Sequence, residues 1–168
     1  FVTRLSFRPL RDMIKERIKQ FTERFPFMEY HTHSPEQTEQ LGADFAKTLS
    51  PGDIVAFSGD LGAGKTAFSR GVLRGLGYEG RVTSPTFAIA NEYQTPGGPV
   101  VHLDLYRRTD PDSLYEIGFD EYLDGSRIVL IEWSENAGDS LPDFYKTVHI
   151  SYGNDNNERT VTIGEHTA

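Results

Sequence analysis

The chain has no cysteine among its 168 residues, which excludes disulfides, zinc–thiolate sites and thiol catalysis. No apolar run approaches the ~18 residues that cross a bilayer as a helix, so no membrane span is expected. The first residues lack the apolar core and small-residue cleavage site of an export signal, so the expected compartment is the cytoplasm. The guanine-reading tetrapeptide N-K-x-D is also missing, which argues against a GTPase. Positive charge is scarce: 17 Lys and Arg stand against 25 Asp and Glu, for a net charge of −8. The imbalance is uneven, with seven basic and three acidic residues in 1–27 (+4) and ten and twenty-two in 28–168 (−12). So acidic a body disfavours direct nucleic-acid binding, because field and counterion release both oppose it. Any role in an RNA process is expected to run through a protein partner. With 37% hydrophobic and 25% charged residues, the expectation is a single α/β domain with a proper core.

What is present is centred on Gly59-Asp60-Leu61-Gly62-Ala63-Gly64-Lys65-Thr66, an unsubstituted G-x-x-x-x-G-K-[ST] phosphate-binding loop. Ile54 to Ser58 before it reads as a strand. Phe68, Val72, Leu73 and Leu76 after it recur at helical spacing. Strand, glycine loop and helix are the context the motif requires. Glycines let backbone N–H groups surround a polyphosphate, and the helix presents its positive end to the same anion. Lys65 is expected to reach the β and γ phosphates, and Thr66 to offer its hydroxyl to a Mg²⁺ ion.

Residues 1–27 read as a basic extension containing a short amphipathic helix. They are expected to be an added or upstream segment, with Met28 as a candidate start and 28–168 as the nucleotide-binding domain; the alternative is a partner- or membrane-surface helix. Ser34-Pro35-Glu36-Gln37 signals a helix start, followed by the stripe Leu41, Phe45, Leu49. The polar stretch Tyr30 to Ser34 is a candidate to edge the base. Phe87 to Tyr93 and Val100 to Tyr106, around Pro96-Gly97-Gly98, suggest a hairpin. Asp110-Pro111 opens a helix that ends at Gly118. Ile128 to Ile131 is a fully apolar strand, and Tyr145 to Tyr152 with Arg159 to Ile163 closes the chain as two strands.

A magnesium-nucleotide site also needs a carboxylate at a strand tip. Glu132 follows the apolar run of a buried parallel strand. Asp104 alternates with Val101, Leu103 and Leu105 and so faces away from them, toward the γ-phosphate in this reading. The alternative for either is a solvated acid at a strand end. Thr83-Ser84-Pro85-Thr86 is either a γ-phosphate-sensing segment or an ordinary loop. His102 is equally a packed strand residue or a proton shuttle. Arg107 and Arg108 would contact phosphate or a neighbouring acid, and Trp133 is core or a wall of the nucleotide pocket.

Together, GDLGAGKTAFSRGVLRGLG, VTSPTFAIANEY, HLDLYR and IEW, in this order, resemble the TsaE (YjeE) family of small bacterial ATPases of tRNA threonylcarbamoyladenosine synthesis. The resemblance covers roughly Met28 to Ile163 and does not extend to residues 1–27. It implies a P-loop NTPase fold with a mixed, mostly parallel central sheet flanked by helices, ATP and Mg²⁺ as ligands, and TsaB and TsaD as partners. The acidic body adds the expectation that tRNA is met only through those partners, and the lack of a cationic lid in the sequence the expectation that hydrolysis by the chain alone is slow. By the match, Gly59 to Thr66 would cradle the phosphates and Thr66 and Glu132 would hold the metal. Lys65, Asp104 and Thr86 would serve turnover, and Trp133 would lie by the nucleotide. Two other readings stay open: a small-molecule kinase, which would need a lid the sequence does not show, and an adaptor gated by nucleotide with negligible hydrolysis.

Overall fold

A computed structural model describes residues 27–85, 89–107 and 111–167. The strands are β1 (Met28–Thr32), β2 (Ile54–Ser58), β3 (Ala90–Thr95), β4 (Gly98–Asp104), β5 (Ile128–Glu132), β6 (Phe144–Tyr152) and β7 (Arg159–Thr167). The α-helices are α1 (Pro35–Ala46), α2 (Lys65–Gly75), α3 (Pro111–Glu116) and α4 (Phe119–Tyr122), with a 3-10 helix at Ser134–Ser140. The seven strands make one mixed sheet in the order β1-β7-β6-β2-β5-β4-β3. β2 pairs in parallel with β5 and β6, and β4 with β5, whereas β1–β7, β6–β7 and β3–β4 are antiparallel. Five strands therefore run one way, with β3 and β7 reversed.

The apolar runs explain the centre. β2 and β5 are covered on both faces, so Ile54, Val55, Ala56 and Phe57 are all buried, as are Ile128 to Ile131. On one face Val55, Phe57, Val100, Ile128 and Leu130 pack with Phe68, Val72 and Leu73 of α2 and with Leu41 and Phe45 of α1. Phe68 meets both Phe57 and Phe45, with ring centroids 5.6 and 5.7 Å apart. On the other face Ile54, Val101, Leu103, Val129 and Ile131 pack with Leu114, Phe119 and Ala137. Parallel strands buried on both faces are the expected core of such a sheet.

Local signals hold with adjustments. Ser34 caps α1 by accepting from the Gln37 N–H at 3.2 Å, and Gln37 Oε1 returns a bond to the His33 N–H, one residue earlier than in the standard box. The hairpin turn is Pro96-Gly97, with Thr95 paired to Gly98. The polar stretch Tyr30 to Ser34 overlaps β1, and Met28–Thr32 adds to β7 through its backbone. Strand addition at a sheet edge needs no apolar alternation. Residues 1–26 of the basic extension 1–27, Thr86 and Arg108 lie outside the described residues. Among the described residues no helix is long and apolar enough to cross a membrane.

Candidate nucleotide site

The site lies where β2, β4 and β5 end together, the edge at which open α/β sheets receive ligands. Gly59 leaves β2 with φ 126° and Gly64 precedes α2 with φ 115°. No acidic side chain occupies the first turn of α2, so the helix's positive end is uncompensated there.

An anion-binding loop must keep its carbonyl oxygens away from the phosphates, since both are negative. Four of these carbonyls are occupied. Lys65 Nζ donates to the oxygens of Gly59 and Asp60 at 2.5 and 2.8 Å. From the far side, the Tyr152 hydroxyl donates to Leu61 O at 2.7 Å and Arg159 Nε to Ala63 O at 3.0 Å. The Arg159 guanidinium lies 4.4 Å from the centroid of the Tyr152 ring, so the two form one clamp at the outer end of the β6–β7 hairpin. Ala63 itself is fully buried. The sequence reading did not find Tyr152 or Arg159, which lie about 90 residues from the loop they hold.

Lys65 is not the exposed loop lysine that its motif suggests. It is 4% exposed, with its ammonium 4.0 Å from the centre of the Trp133 ring. Burial pushes its pKa below the usual lysine value, opposed in turn by the charges of Glu132, Glu135, Asp104 and Asp60. Trp133 follows β5 in the left-handed region at φ 57°, a strained conformation for a non-glycine residue. The turn aims its ring at the lysine and against Tyr106, whose centroid is 4.9 Å away. Ser134 then anchors the following 3-10 helix by donating to Phe57 O at 3.1 Å.

Thr66 Oγ1, at the start of α2, donates to Glu132 Oε2 at 3.2 Å. The second oxygen, Oε1, is 2.8 Å from Nε2 of His102, which is fully buried. Asp104 and Glu132 are register partners across β4 and β5, so both buried carboxylates come to the same mouth. Asp104 Oδ1 accepts from the Tyr106 N–H at 2.9 Å and Oδ2 from Ser84 Oγ at 3.3 Å. The resulting cleft, of about 260 Å³, is lined by Gly62, Gly64, Lys65, Thr66, Asp104, Glu132 and Trp133, with Leu61, Ser84 and Tyr106 at its rim. A larger hollow of about 340 Å³ beside Asp53 and Phe144 contains none of these groups. Of the candidate residues within the described chain, Leu61, Gly62, Gly64, Lys65, Thr66, Asp104, Glu132 and Trp133 thus line one cleft, with Gly59 and Asp60 bonded to Lys65 through their carbonyls, whereas Ala63 and the stretch Tyr30 to Ser34 do not line it. Arg107 is exposed beside Tyr106. Among the described residues no group of three or more His, Cys, Asp or Glu is poised to hold a metal ion by itself.

Comparison with known proteins gives this geometry a family. The profile described as "Threonylcarbamoyl adenosine biosynthesis protein TsaE" matches residues 32–161. The chain belongs to the TsaE family. A TsaE protein of Bacillus subtilis is 37% identical over 136 residues, covering 81% of this chain and 84% of the relative. One from Rickettsia typhi is 40% identical over 135 residues, covering 79% and 92%. Both are named as tRNA threonylcarbamoyladenosine biosynthesis proteins. The crystal structure of Bacillus subtilis YdiB superposes with a TM-score of 0.73 at 32% identity, over 86% of this chain and 88% of that one. The mixed sheet with its glycine loop is therefore the P-loop NTPase architecture of the TsaE proteins.

Proposed function

We propose that the chain binds ATP with Mg²⁺ and hydrolyses it as the ATPase subunit of the machinery that builds N6-threonylcarbamoyladenosine at position 37 of tRNA, in the cytoplasm and together with TsaB and TsaD. The observation that carries this reading is the hydroxyl–carboxylate pair Thr66–Glu132 at the mouth of the phosphate loop, 3.2 Å apart. A hydroxyl and a carboxylate are the hard oxygen donors that magnesium takes, with phosphate oxygens and water completing its shell. The electrostatics favour the same ion. Glu132 and Asp104 line a cleft whose one lysine among the described residues is Lys65, and two carboxylates would repel a triphosphate unless a divalent cation stood between them. When bound, Mg²⁺ supplies charge neutralisation to the phosphates.

The chain's own residues divide the remaining work. Lys65 exchanges the Gly59 and Asp60 carbonyls for phosphate oxygens, Trp133 walls the pocket, and Asp104 orients the attacking water, helped by Thr86. Phosphoryl transfer rests on positioning and charge stabilisation, and a cationic group supplied in trans adds about 10³ to 10⁵ in rate. The proposed partners complete the site in that way, and the acidic body meets them rather than RNA. The test is phosphate release by the chain alone, with TsaB and TsaD, and with an Asp104→Asn variant in the same mixture. Slow release that rises with the partners and collapses in the variant is expected. Brisk release that ignores the partners would refute the coupling, and a fully active variant would remove Asp104 from the mechanism.

A further inference from the structure

We infer that His102 is a positioning residue of the nucleotide site, holding Glu132 so that one chosen carboxylate oxygen is presented to the metal-binding position. The inference deepens the reading of Glu132 as a metal ligand and rests on it.

Strand alternation puts Val100, His102 and Asp104 on one face of β4, and their register partners Ile128, Leu130 and Glu132 on the same face of β5. Val100, Ile128 and Leu130 are core residues there. His102, directly opposite Leu130, therefore occupies a position where an aliphatic side chain would pack. Instead it buries an imidazole completely, and among the described residues its Nδ1 has no hydrogen-bond partner. An unpaired buried nitrogen costs free energy that a leucine would not. The compensating interaction on the page is Nε2 to Glu132 Oε1 at 2.8 Å.

Its geometry is specific. An ionised carboxylate only accepts, so the hydrogen of this pair belongs to Nε2. That bond fixes Oε1 in the interior and leaves Oε2 turned to the Thr66 hydroxyl. Glu132 is 3% exposed, so little solvent reaches it to take the place of the imidazole. Without the imidazole the carboxylate is free to rotate about its terminal bonds, and the oxygen that should meet the cation loses its aim. Outer groups that orient a ligating side chain commonly change metal affinity by about 10- to 100-fold.

Two substitutions separate positioning from packing. In His102→Gln the amide nitrogen stands as many bonds from Cα as Nε2 does, whereas in His102→Asn it matches Nδ1 and falls short of Glu132. ATP binding is measured by calorimetry across a Mg²⁺ titration and again in EDTA, with Glu132→Gln as reference and thermal melting to confirm folding. The Gln variant is expected to keep a Mg²⁺ half-saturation near that of the unsubstituted protein, and the Asn variant to raise it about tenfold or more, while affinity in EDTA stays unchanged in both. Gln and Asn variants that share one metal dependence, or an EDTA affinity that falls as far as the Mg²⁺ affinity, would overturn the inference. If Glu132→Gln loses the metal dependence and His102→Asn keeps it, the positioning role alone fails. If Glu132→Gln keeps it, the metal-ligand reading fails and takes this inference with it. A measurement on the unsubstituted protein covers the case of a variant that does not fold. The His102 imidazole nitrogen resonances should move when Mg²⁺ is added to the nucleotide complex, and resonances that ignore the metal would also overturn the inference.

Discussion

Adding one methyl group to the phosphate loop should cost far more at its first glycine than at its middle one. At Gly59, φ 126° lies where side chains are rarely tolerated, and a Cβ would overlap the Ile150 carbonyl oxygen of β6. Ile150 is fully buried and its backbone is fixed by β7, so the clash is relieved only by parting the end of β2 from β6. Backbone strain of about 1–3 kcal/mol and overpacking of about 1–3 kcal/mol together give roughly 4 kcal/mol. For a domain of this size that is a fall of about 8–16 °C in melting temperature. At Gly62, φ is 76° and the nearest atom to a Cβ would be the Tyr152 hydroxyl oxygen at 2.9 Å. That oxygen sits on a 49% exposed side chain and can retreat. The cost is about 1 kcal/mol of left-handed strain plus, at most, the Tyr152–Leu61 bond, about 0.5–1.5 kcal/mol. Thermal unfolding of Gly59→Ala, Gly62→Ala, Tyr152→Phe and the Gly62/Tyr152 double variant reads all of this. Because Tyr152→Phe removes the obstructing oxygen, the double variant should be more stable than additivity predicts, by about 0.5–1 kcal/mol. A Gly59→Ala protein that melts no lower than Gly62→Ala, or strict additivity in the double variant, would refute the reasoning.

Lys65→Met keeps the aliphatic stem and removes the charge, so ATP affinity measured by calorimetry should fall about 10- to 100-fold, from the loss of about 1.5–3 kcal/mol of charge-assisted bonding. The same pair of proteins should diverge in alkali. The buried ammonium's pKa is lowered in the fold, so its cost is present below that value and is relieved as pH rises from there toward the unfolded value near 10.4. Denaturant titrations should show the unsubstituted protein gaining stability relative to Lys65→Met across that window, and parallel curves would contradict the assignment. Arg159→Ala frees the Ala63 carbonyl and the Tyr152 ring, and calorimetry should show weaker ATP binding both in Mg²⁺ and in EDTA, since the clamp acts on the loop and not on the metal ligands.

The parts of the site that a linear reading reached are those carried by neighbours in sequence. Ile54 to Ser58, the glycine loop and the periodic Phe68, Val72 and Leu73 specify strand, loop and helix together, and the apolar run before Glu132 marks a buried strand delivering its last side chain to the ligand edge. Alternation along β4 sets Asp104 on the face away from Val101, Leu103 and Leu105, and there it lines the cleft beside Glu132. Applied one step further back, the same alternation puts His102 on the Asp104 face, so a signal for its place beside Glu132 existed. Tyr152 and Arg159 had no such signal, because they reach the loop only through the pairing of β6 with β2 and β7. β1 escaped because MEYHT joins the sheet through backbone groups and shows no burial alternation, with only Thr32 buried. The burial of Lys65 was invisible for a related reason. It depends on a tryptophan 68 positions later, turned inward by a strained backbone.

The clamp on the phosphate loop also has a consequence in time. Leu61 and Ala63 are held by side chains 91 and 96 positions downstream, and both sheet neighbours of β2 are likewise made after it. At a synthesis rate of about 5–20 residues per second, the loop leaves the ribosome roughly 5–20 seconds before its supports do. Until β5 emerges the apolar segment of β2 has no strand to pair with, and until Tyr152 and Arg159 follow, the Leu61 and Ala63 carbonyls have no side-chain donor. Full-strength nucleotide capture thus becomes a late event in the life of the nascent polypeptide, reached once Arg159 has emerged.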